Sequence, residues 1–94
     1  MDWKYEKGRI YSVDENNELM AETTFVFKKS DVIDINRTYV HPELRGQGLA
    51  GKLMGLVAEY LRENSLKATA SCPYANTWLK RNRESYSDII SEEL

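Results

Sequence analysis

The chain is 94 residues long and carries 13 Lys and Arg against 15 Asp and Glu, which gives a formal net charge of −2. This length suits one domain over residues 1–94, near the lower limit for a chain that buries its own core. Charges of both signs are interspersed, which argues against broad electrostatic binding to nucleic acid, so we expect no nucleic-acid partner.

Cys72 is the only cysteine, so the chain cannot form an internal disulfide. A reducing, cytoplasmic setting is therefore the simpler expectation. The sequence has no apolar run long enough to span a bilayer, and its first residues lack the apolar stretch of a signal peptide. We therefore expect no membrane partner.

The first half of the sequence predicts strands separated by short polar turns. Aromatic and β-branched residues are frequent there, and apolar residues alternate with others from Leu19 to Phe27. The predicted strands are residues 3–6, 9–13, 19–28 and 32–40, with polar turns at 14–18 and 28–31.

The fourth predicted strand contains a break in its pattern. Ile33 and Ile35 share one face, and Arg37 interrupts that apolar side. A β-bulge between Asn36 and Thr38 would explain the interruption, because a bulge reassigns the faces of a strand.

From Gly48 to about Asn64 the apolar period becomes helical. The stripe expected to face the sheet consists of Leu49, Leu53, Leu56, Val57, Tyr60 and Leu61. Asn64 is a candidate for the left-handed residue that ends the helix. A short strand over 66–72 and a helix over 73–82 follow, the latter with Pro73 at its first position.

A helix-length connection between the strand ending at Val40 and the strand starting near Leu66 predicts a right-handed crossover and parallel strands. We therefore predict an α+β fold: a mixed, mainly antiparallel sheet with one β-α-β crossover, in one domain without repeats or linkers. Residues 86–94 show no assignable pattern.

The predicted long helix also carries a second stripe of small residues. Its members are Gly48, Gly51, Gly55 and Ala58. Glycine costs about 1 kcal/mol relative to alanine in a helix interior, so the stripe requires an explanation. Close packing against a neighbouring element and accommodation of a ligand are both open.

The junction between the fourth strand and the long helix is suited to binding an anion. Pro42 ends the strand, and Gly46 and Gly48 keep the helix start free of side chains. The first N–H groups of a helix have no intrahelical partner and carry partial positive charge. Arg45 adds a full positive charge and a fork of donors.

The spacing at this junction is specific. Arg45, Gly48 and Ala50 form R-x-x-G-x-A directly after a strand end. Here the sequence resembles the GNAT superfamily of acetyl-CoA-dependent N-acetyltransferases, whose pyrophosphate loop reads R/Q-x-x-G-x-G/A. Neither the phosphate loop of nucleotide hydrolases nor the dinucleotide fingerprint is present.

A second informative segment surrounds Cys72. With Pro73 as the first helical residue, Cys72 becomes the N-cap, and we expect its sulfur near the free N–H groups of Tyr74 and Ala75. That position would stabilise a thiolate. An isolated cysteine is also commonly a small buried apolar residue, so both interpretations stay open.

Cys72-Pro73-Tyr74, followed by Trp78 and Glu84-x-Tyr86, is similar to the small, single-domain branch of the GNAT superfamily, and the match covers most of the chain. The resemblance implies a cysteine near the thioester. Larger members place two helices between their first strands as one wall of the acceptor site, whereas only residues 14–18 connect the corresponding strands here. The acceptor amine is therefore open, and a small molecule, a protein lysine or an N-terminus are all compatible.

The resemblance also implies which residues contact acetyl-CoA, and no metal is expected. Backbone groups of Tyr39 and Val40 would engage the pantetheine arm, with Asn76 as a further partner or a solvated helix residue. The implied pyrophosphate and phosphate contacts are Arg45, Gly46, Gln47, Gly48, Ala50 and Gly51. Lys80 or Arg81 is a candidate for the 3′-phosphate, although a solvated helix face is the stronger alternative for both.

Two residues are candidates for catalysis. His41 is suited to relay a proton because an imidazole changes charge near neutral pH, although a surface histidine is an equal alternative. Cys72 would either carry the acetyl group or protonate the departing thiolate. We predict an N-acetyltransferase, and the alternative is a protein that binds acetyl-CoA or CoA without efficient catalysis.

Overall fold

The computed structural model describes residues 1–94 and shows a five-stranded sheet with three helices. The strands are β1 Lys4–Glu6, β2 Arg9–Val13, β3 Leu19–Phe27, β4 Val32–Val40 and β5 Lys67–Ala70. The helices are α1 Leu49–Glu63, α2 Pro73–Arg81 and α3 Arg83–Tyr86, with short 3-10 turns at Pro42–Leu44 and Ser87–Ile89. None of these helices combines the length and the apolar composition needed to cross a membrane.

The strands lie in the order β1-β2-β3-β4-β5. The first four are antiparallel neighbours, and β4 pairs with β5 in parallel through the α1 crossover. The predicted α+β fold, with its mainly antiparallel sheet and single crossover, is confirmed.

The predicted β-bulge lies in β4. Thr24 of β3 is opposite Arg37, but the next residue, Phe25, is opposite Ile35, so Asn36 is the extra residue. Thr38 lies opposite the fully buried Thr23. Because directly opposed residues share a face, the bulge returns Thr38 to the same side of the sheet as the core.

One face of the sheet carries the helices. The buried residues of α1 are Leu53, Met54, Val57, Ala58 and Leu61. Together with Ala75 and Leu79 of α2 they join a single core cluster of 18 residues. Of the predicted α1 stripe, Leu49, Leu56 and Tyr60 are only half-buried, and Met54 takes a core position that the sequence did not predict.

The opposite face is held by polar pairs between strands. Glu22 in β3 is only 7% exposed and accepts one guanidinium contact from Arg9 and one from Arg37, each at 2.6 Å. Removing one partner of a buried charge is costly, so these contacts tie β2, β3 and β4 together.

The end of α1 differs from the sequence prediction. Asn64 has a φ of −103°, and the left-handed residue is Ser65, with a φ of +54°. The Leu66 N–H donates to the Leu61 carbonyl at 2.8 Å, which completes a Schellman motif one residue later than expected. The Asn64 side chain donates instead to the Tyr60 carbonyl at 2.8 Å.

The C-terminal segment belongs to the core, although its sequence shows no periodic pattern. Ile89 and Ile90 are buried, and the Ser91 N–H donates to the Ala68 carbonyl at 2.9 Å beside β5. Arg62 of α1 donates to both oxygens of Asp88, at 2.6 and 2.9 Å. These hydrogen bonds hold the pKa of Asp88 below its usual range.

The small-residue stripe of α1 has no single explanation. A Cβ at Gly51 would lie 3.7 Å from the Tyr74 hydroxyl and 3.9 Å from Trp78 Nε1, so Gly51 borders α2 at ordinary contact distance. A Cβ at Gly55 would meet no atom within 4 Å. A Cβ would therefore fit at both positions, and close packing requires glycine at neither.

We predict that Gly55→Ala raises the free energy of unfolding by about 0.4–1 kcal/mol, because alanine restricts the unfolded chain and its methyl group fits here. Gly8→Ala is the matched contrast. Its methyl group would lie 3.1 Å from the Phe25 carbonyl oxygen, at a φ of +78°, so this variant should be less stable than the wild type. Urea unfolding measures both, and a destabilised Gly55→Ala protein would contradict the assigned surroundings of Gly55.

Candidate active site

The candidate site begins where β4 and β5 separate. Their parallel pairing runs from Val32 opposite Lys67 to Ile35 opposite Ala70. The Cys72 N–H then donates to the Ile35 carbonyl at 3.0 Å. Beyond the Asn36 bulge, β4 continues to Val40 and pairs only with β3, so a cleft opens between the two strands.

The backbone of β4 is unpaired along this cleft. The His41 N–H donates to the Met20 carbonyl at 2.8 Å, which makes these opposed residues a hydrogen-bonded pair. Backbone bonding alternates along an antiparallel strand. The amide and carbonyl groups of Tyr39 therefore point to β3, and those of Thr38 and Val40 point into the cleft. The Arg45 side chain confirms this direction, since its Nε donates to the Val40 carbonyl at 2.9 Å.

The loop after β4 presents bare backbone. Gly46 and Gly48 have φ values of +84° and +75°, which L side chains rarely adopt, and a Cβ at either would meet no atom within 4 Å. Gly48 is the N-cap of α1 and supplies no capping side chain. The first N–H groups of α1 are therefore left for an anion.

The cleft and the loop enclose one cavity of about 350 Å³. Its lining includes seven of the predicted cofactor residues: Tyr39, Val40, Arg45, Gly46, Gly48, Ala50 and Gly51. The cavity combines an open strand edge, a guanidinium and a bare helix start. These features fit an extended amide-containing arm that ends in a phosphate group.

Other predicted cofactor residues lie outside the cavity lining. Gln47 is exposed in the loop, and Lys80 is exposed in the last turn of α2. Asn76 is half-buried, and its Nδ2 donates to the Ala70 carbonyl at 3.1 Å. Asn76 thus supplies a hydrogen bond to the last residue of β5, where the strand pairing stops.

Cys72 occupies the predicted N-cap position of α2 but does not cap it. No hydrogen bond joins its sulfur to the first N–H groups of the helix, contrary to the expectation from the sequence. The thiol is 7% exposed and donates to Thr38 Oγ1 at 3.6 Å. The sulfur is therefore directed across the cleft to β4, because the backbone bond to Ile35 fixes Cys72 against that strand.

His41 lies in a separate hollow of about 120 Å³. Its Nδ1 accepts a hydrogen bond from the Glu43 N–H at 3.1 Å and caps the Pro42–Leu44 turn. Its Nε2 lies 3.7 Å from Glu18 Oε1. The structure thus does not bring His41 to the cavity beside Cys72.

Four residues that line the cavity were absent from the sequence prediction: Thr38, Leu44, Leu49 and Tyr74. The position of Thr38 could have been predicted from the expected bulge, because one extra residue returns the Thr38 side chain to the core face. Tyr74 has no comparable signal, since only the docking of α2 beside Gly51 brings its ring to the cavity. No group of three or more His, Cys, Asp and Glu side chains could hold a metal ion.

Comparison with known proteins identifies relatives of this fold and sequence. A sequence model described as GCN5-related N-acetyl-transferase matches residues 9–89. The solution NMR structure of a GCN5-like protein from Staphylococcus aureus is 38% identical, with a TM-score of 0.79, and the match covers 96% of this chain and 87% of that protein. No curated protein matches the sequence.

Larger proteins share the fold at lower identity. Ribosomal-protein-alanine N-acetyltransferase from Brucella melitensis biovar Abortus 2308 is 20% identical with a TM-score of 0.55, over 88% of this chain and 59% of that one. A protein from Clostridium acetobutylicum solved with acetyl-CoA is 17% identical with a TM-score of 0.55, over 80% of this chain and 56% of that one. The chain thus spans little more than half the length of these two proteins.

The contact of Asn76 with β5 is testable in the protein alone. We predict that Asn76→Ala lowers the free energy of unfolding by about 1 kcal/mol, because the Ala70 carbonyl loses its side-chain donor. Thr77→Ala is the control, since Thr77 is exposed on the same helix, and it should change stability by less than about 0.5 kcal/mol. Equal effects in urea unfolding would show that Asn76 does not support the end of β5.

Proposed function

The chain belongs to the GCN5-related N-acetyltransferase family, and we propose that it transfers an acetyl group from acetyl-CoA to an exposed amine of another protein. The observation that carries the proposal is the open edge of β4 beside the bare start of α1. Both features meet in one cavity that an anionic ligand with an amide-containing arm would fit.

In this proposal the pantetheine arm of acetyl-CoA pairs with β4 as an added strand. Thr38 and Val40 provide the backbone groups, since those of Tyr39 are directed to β3. The Val40 carbonyl now accepts from Arg45 Nε, so Arg45 would turn its guanidinium from this carbonyl to the phosphates. Asn76 would accept from an amide of the arm with Oδ1, because its Nδ2 is already bonded to Ala70.

The pyrophosphate would lie at the start of α1. N–H groups of Gly46, Gln47, Gly48, Ala50 and Gly51 are the proposed donors, and the exposed Gln47 contributes backbone only. Lys80 and Arg81 are exposed in the last turn of α2 and make no ion pair, which leaves them for the 3′-phosphate. Acetyl-CoA would supply the activated thioester, and the protein would hold and polarise it.

Cys72 is the proposed source of the proton that the departing thiolate takes up, while the amine attacks the thioester directly. The competing route is attack by the Cys72 sulfur and transient acetylation of the enzyme. Burial and the hydrogen bond to Thr38 favour proton donation over nucleophilic attack. A proton relay through His41 has less support, because its side chain lies in the neighbouring hollow.

The chain segment on the acceptor side of the site is short. Only five residues, Asp14 to Glu18, connect β2 and β3, so a bulky acceptor could approach the cleft without meeting a wall on that side. A protein lysine or N-terminus would fit such an open site.

The short connection between β2 and β3 also favours a second candidate function, binding of acetyl-CoA without efficient turnover. Acetylation of a mixed panel of amines and peptides distinguishes the two, since only the transferase releases CoA in proportion to acceptor.

We predict that Gly48→Val weakens CoA binding by at least about 1.5 kcal/mol, more than tenfold in Kd, because a branched side chain would occupy the phosphate position. Arg45→Ala should weaken it less. Isothermal titration calorimetry with CoA measures both, and Gly55→Ala, outside the cavity lining, is the control. Circular dichroism must show that Gly48→Val is folded, since valine at a φ of +75° is strained. Unchanged affinity in a folded variant would refute the loop assignment.

The two possible roles of Cys72 predict different intact masses for the protein after incubation with acetyl-CoA. If Cys72 donates a proton, incubation with acetyl-CoA and no acceptor leaves the intact mass of the protein unchanged, and Cys72→Ala is slower by about 10²-fold. An acetyl adduct that is absent from Cys72→Ala and removed by an amine would establish the covalent route. Full activity of Cys72→Ala would remove Cys72 from the mechanism and leave it a core residue.

A further inference from the structure

The cavity presents the side chain of Thr38 rather than that of Cys72. Thr38 lines the cavity, and Cys72 does not. The two are joined by the hydrogen bond from the Cys72 thiol to Thr38 Oγ1 at 3.6 Å, across the point where β4 and β5 separate. A ligand in the cavity therefore meets the Thr38 hydroxyl before it meets the thiol.

The Thr38 hydroxyl has a free donor. A threonine hydroxyl offers one hydrogen and two lone pairs. One lone pair accepts the Cys72 thiol hydrogen. The Thr38 hydroxyl donates to no acceptor in the protein, whereas its neighbour across the sheet, Thr23, donates to the Arg37 carbonyl at 3.0 Å. The Thr38 hydrogen is thus left for the cavity, and acceptance from the thiol polarises it further.

We infer that Thr38 is the catalytic residue that contacts the thioester sulfur and that it passes the Cys72 proton to it. This inference rests on the proposed function, which places the pantetheine arm along β4 with its sulfur towards the end of the strand pairing. Cys72 then acts through Thr38 and never touches the substrate.

In the proposed step, each bond that breaks is matched by a bond that forms. The amine forms the new C–N bond, and the C–S bond of the thioester breaks with its electron pair on sulfur. That sulfur takes the Thr38 hydroxyl hydrogen, and Thr38 Oγ1 takes the Cys72 thiol hydrogen in the same step. The surplus proton of the amine passes to solvent, and solvent reprotonates Cys72 after CoA leaves. Donor and recipient are both alkyl thiols, so the proton passes between groups of the same chemical kind.

A binding measurement tests the sulfur contact without turnover. CoA is compared with desulfo-CoA, in which hydrogen replaces the thiol, by calorimetry at a pH where the free CoA thiol is ionised. The wild type should prefer CoA by about tenfold, the scale of a charge-assisted hydrogen bond. Thr38→Ser should keep this preference, and Thr38→Val, which has nearly the same shape, should reduce it to less than about twofold. Equal preference in wild type and Thr38→Val, or none in the wild type, would overturn the inference.

Turnover then tests the relay, using the acceptor that the amine panel selects. Thr38→Val and Cys72→Ala should each lower kcat at least about tenfold, and the double variant should be no slower than the slower single variant, because the two groups act in series. Thr38→Ser, which keeps the hydroxyl, should keep most of the wild-type kcat. Additive losses would overturn the relay. A wild type that binds CoA with the sulfur preference but acetylates no amine would support the Thr38 contact and refute the transferase. A wild type that does not bind CoA would refute both.

Discussion

The site depends on one extra residue in a strand. No residue of β3 lies opposite Asn36 in the strand register, and the bulge bends β4 directly after its last pair with β5. The same bulge returns Thr38 to the core face, and no strand pairs with the backbone of Thr38 and Val40 on the cleft side. Without this bulge, β4 would expose other side chains to the cleft, and the thiol of Cys72 would have no hydroxyl to bind. Backbone geometry thus sets the position of the proposed chemistry.

An unpaired strand edge is normally a site of aggregation, and this protein limits it in two ways. The open stretch of β4 is short, and the glycine loop and Tyr74 enclose it in the cavity. The other edge of the same stretch is held by β3, where Glu22 joins Arg9 and Arg37 across three strands. Rigid pairing on one side therefore permits an open edge on the other, which is the requirement for adding a ligand as a strand.

Sequence patterns predicted most of this arrangement where the signal was local. The α1 period, the crossover, the bulge and the Arg45-to-Ala50 spacing are all read from consecutive residues or from the order of neighbouring elements. Two of the misses depend on contacts between distant parts of the chain. Ile89 and Ile90 enter the core only because the tail pairs beside Ala68, and the sulfur of Cys72 turns to Thr38, 34 residues away, instead of to its own helix. The prediction of Asn64 as the left-handed residue was wrong for a local reason. The Asn64 side chain donates to the Tyr60 carbonyl, and Ser65 takes the left-handed position.

Amide hydrogen exchange of β4, with and without acetyl-CoA, tests the central claim most directly. The Tyr39 amide is bonded to β3 and should exchange slowly in both states, whereas the Thr38 and Val40 amides face the cleft and should exchange quickly in the free protein. We predict that acetyl-CoA slows exchange at Thr38 and Val40 and leaves Tyr39 unchanged. Binding of acetyl-CoA without added protection at Thr38 and Val40 would contradict the account, because the ligand would then not pair with the open edge of β4.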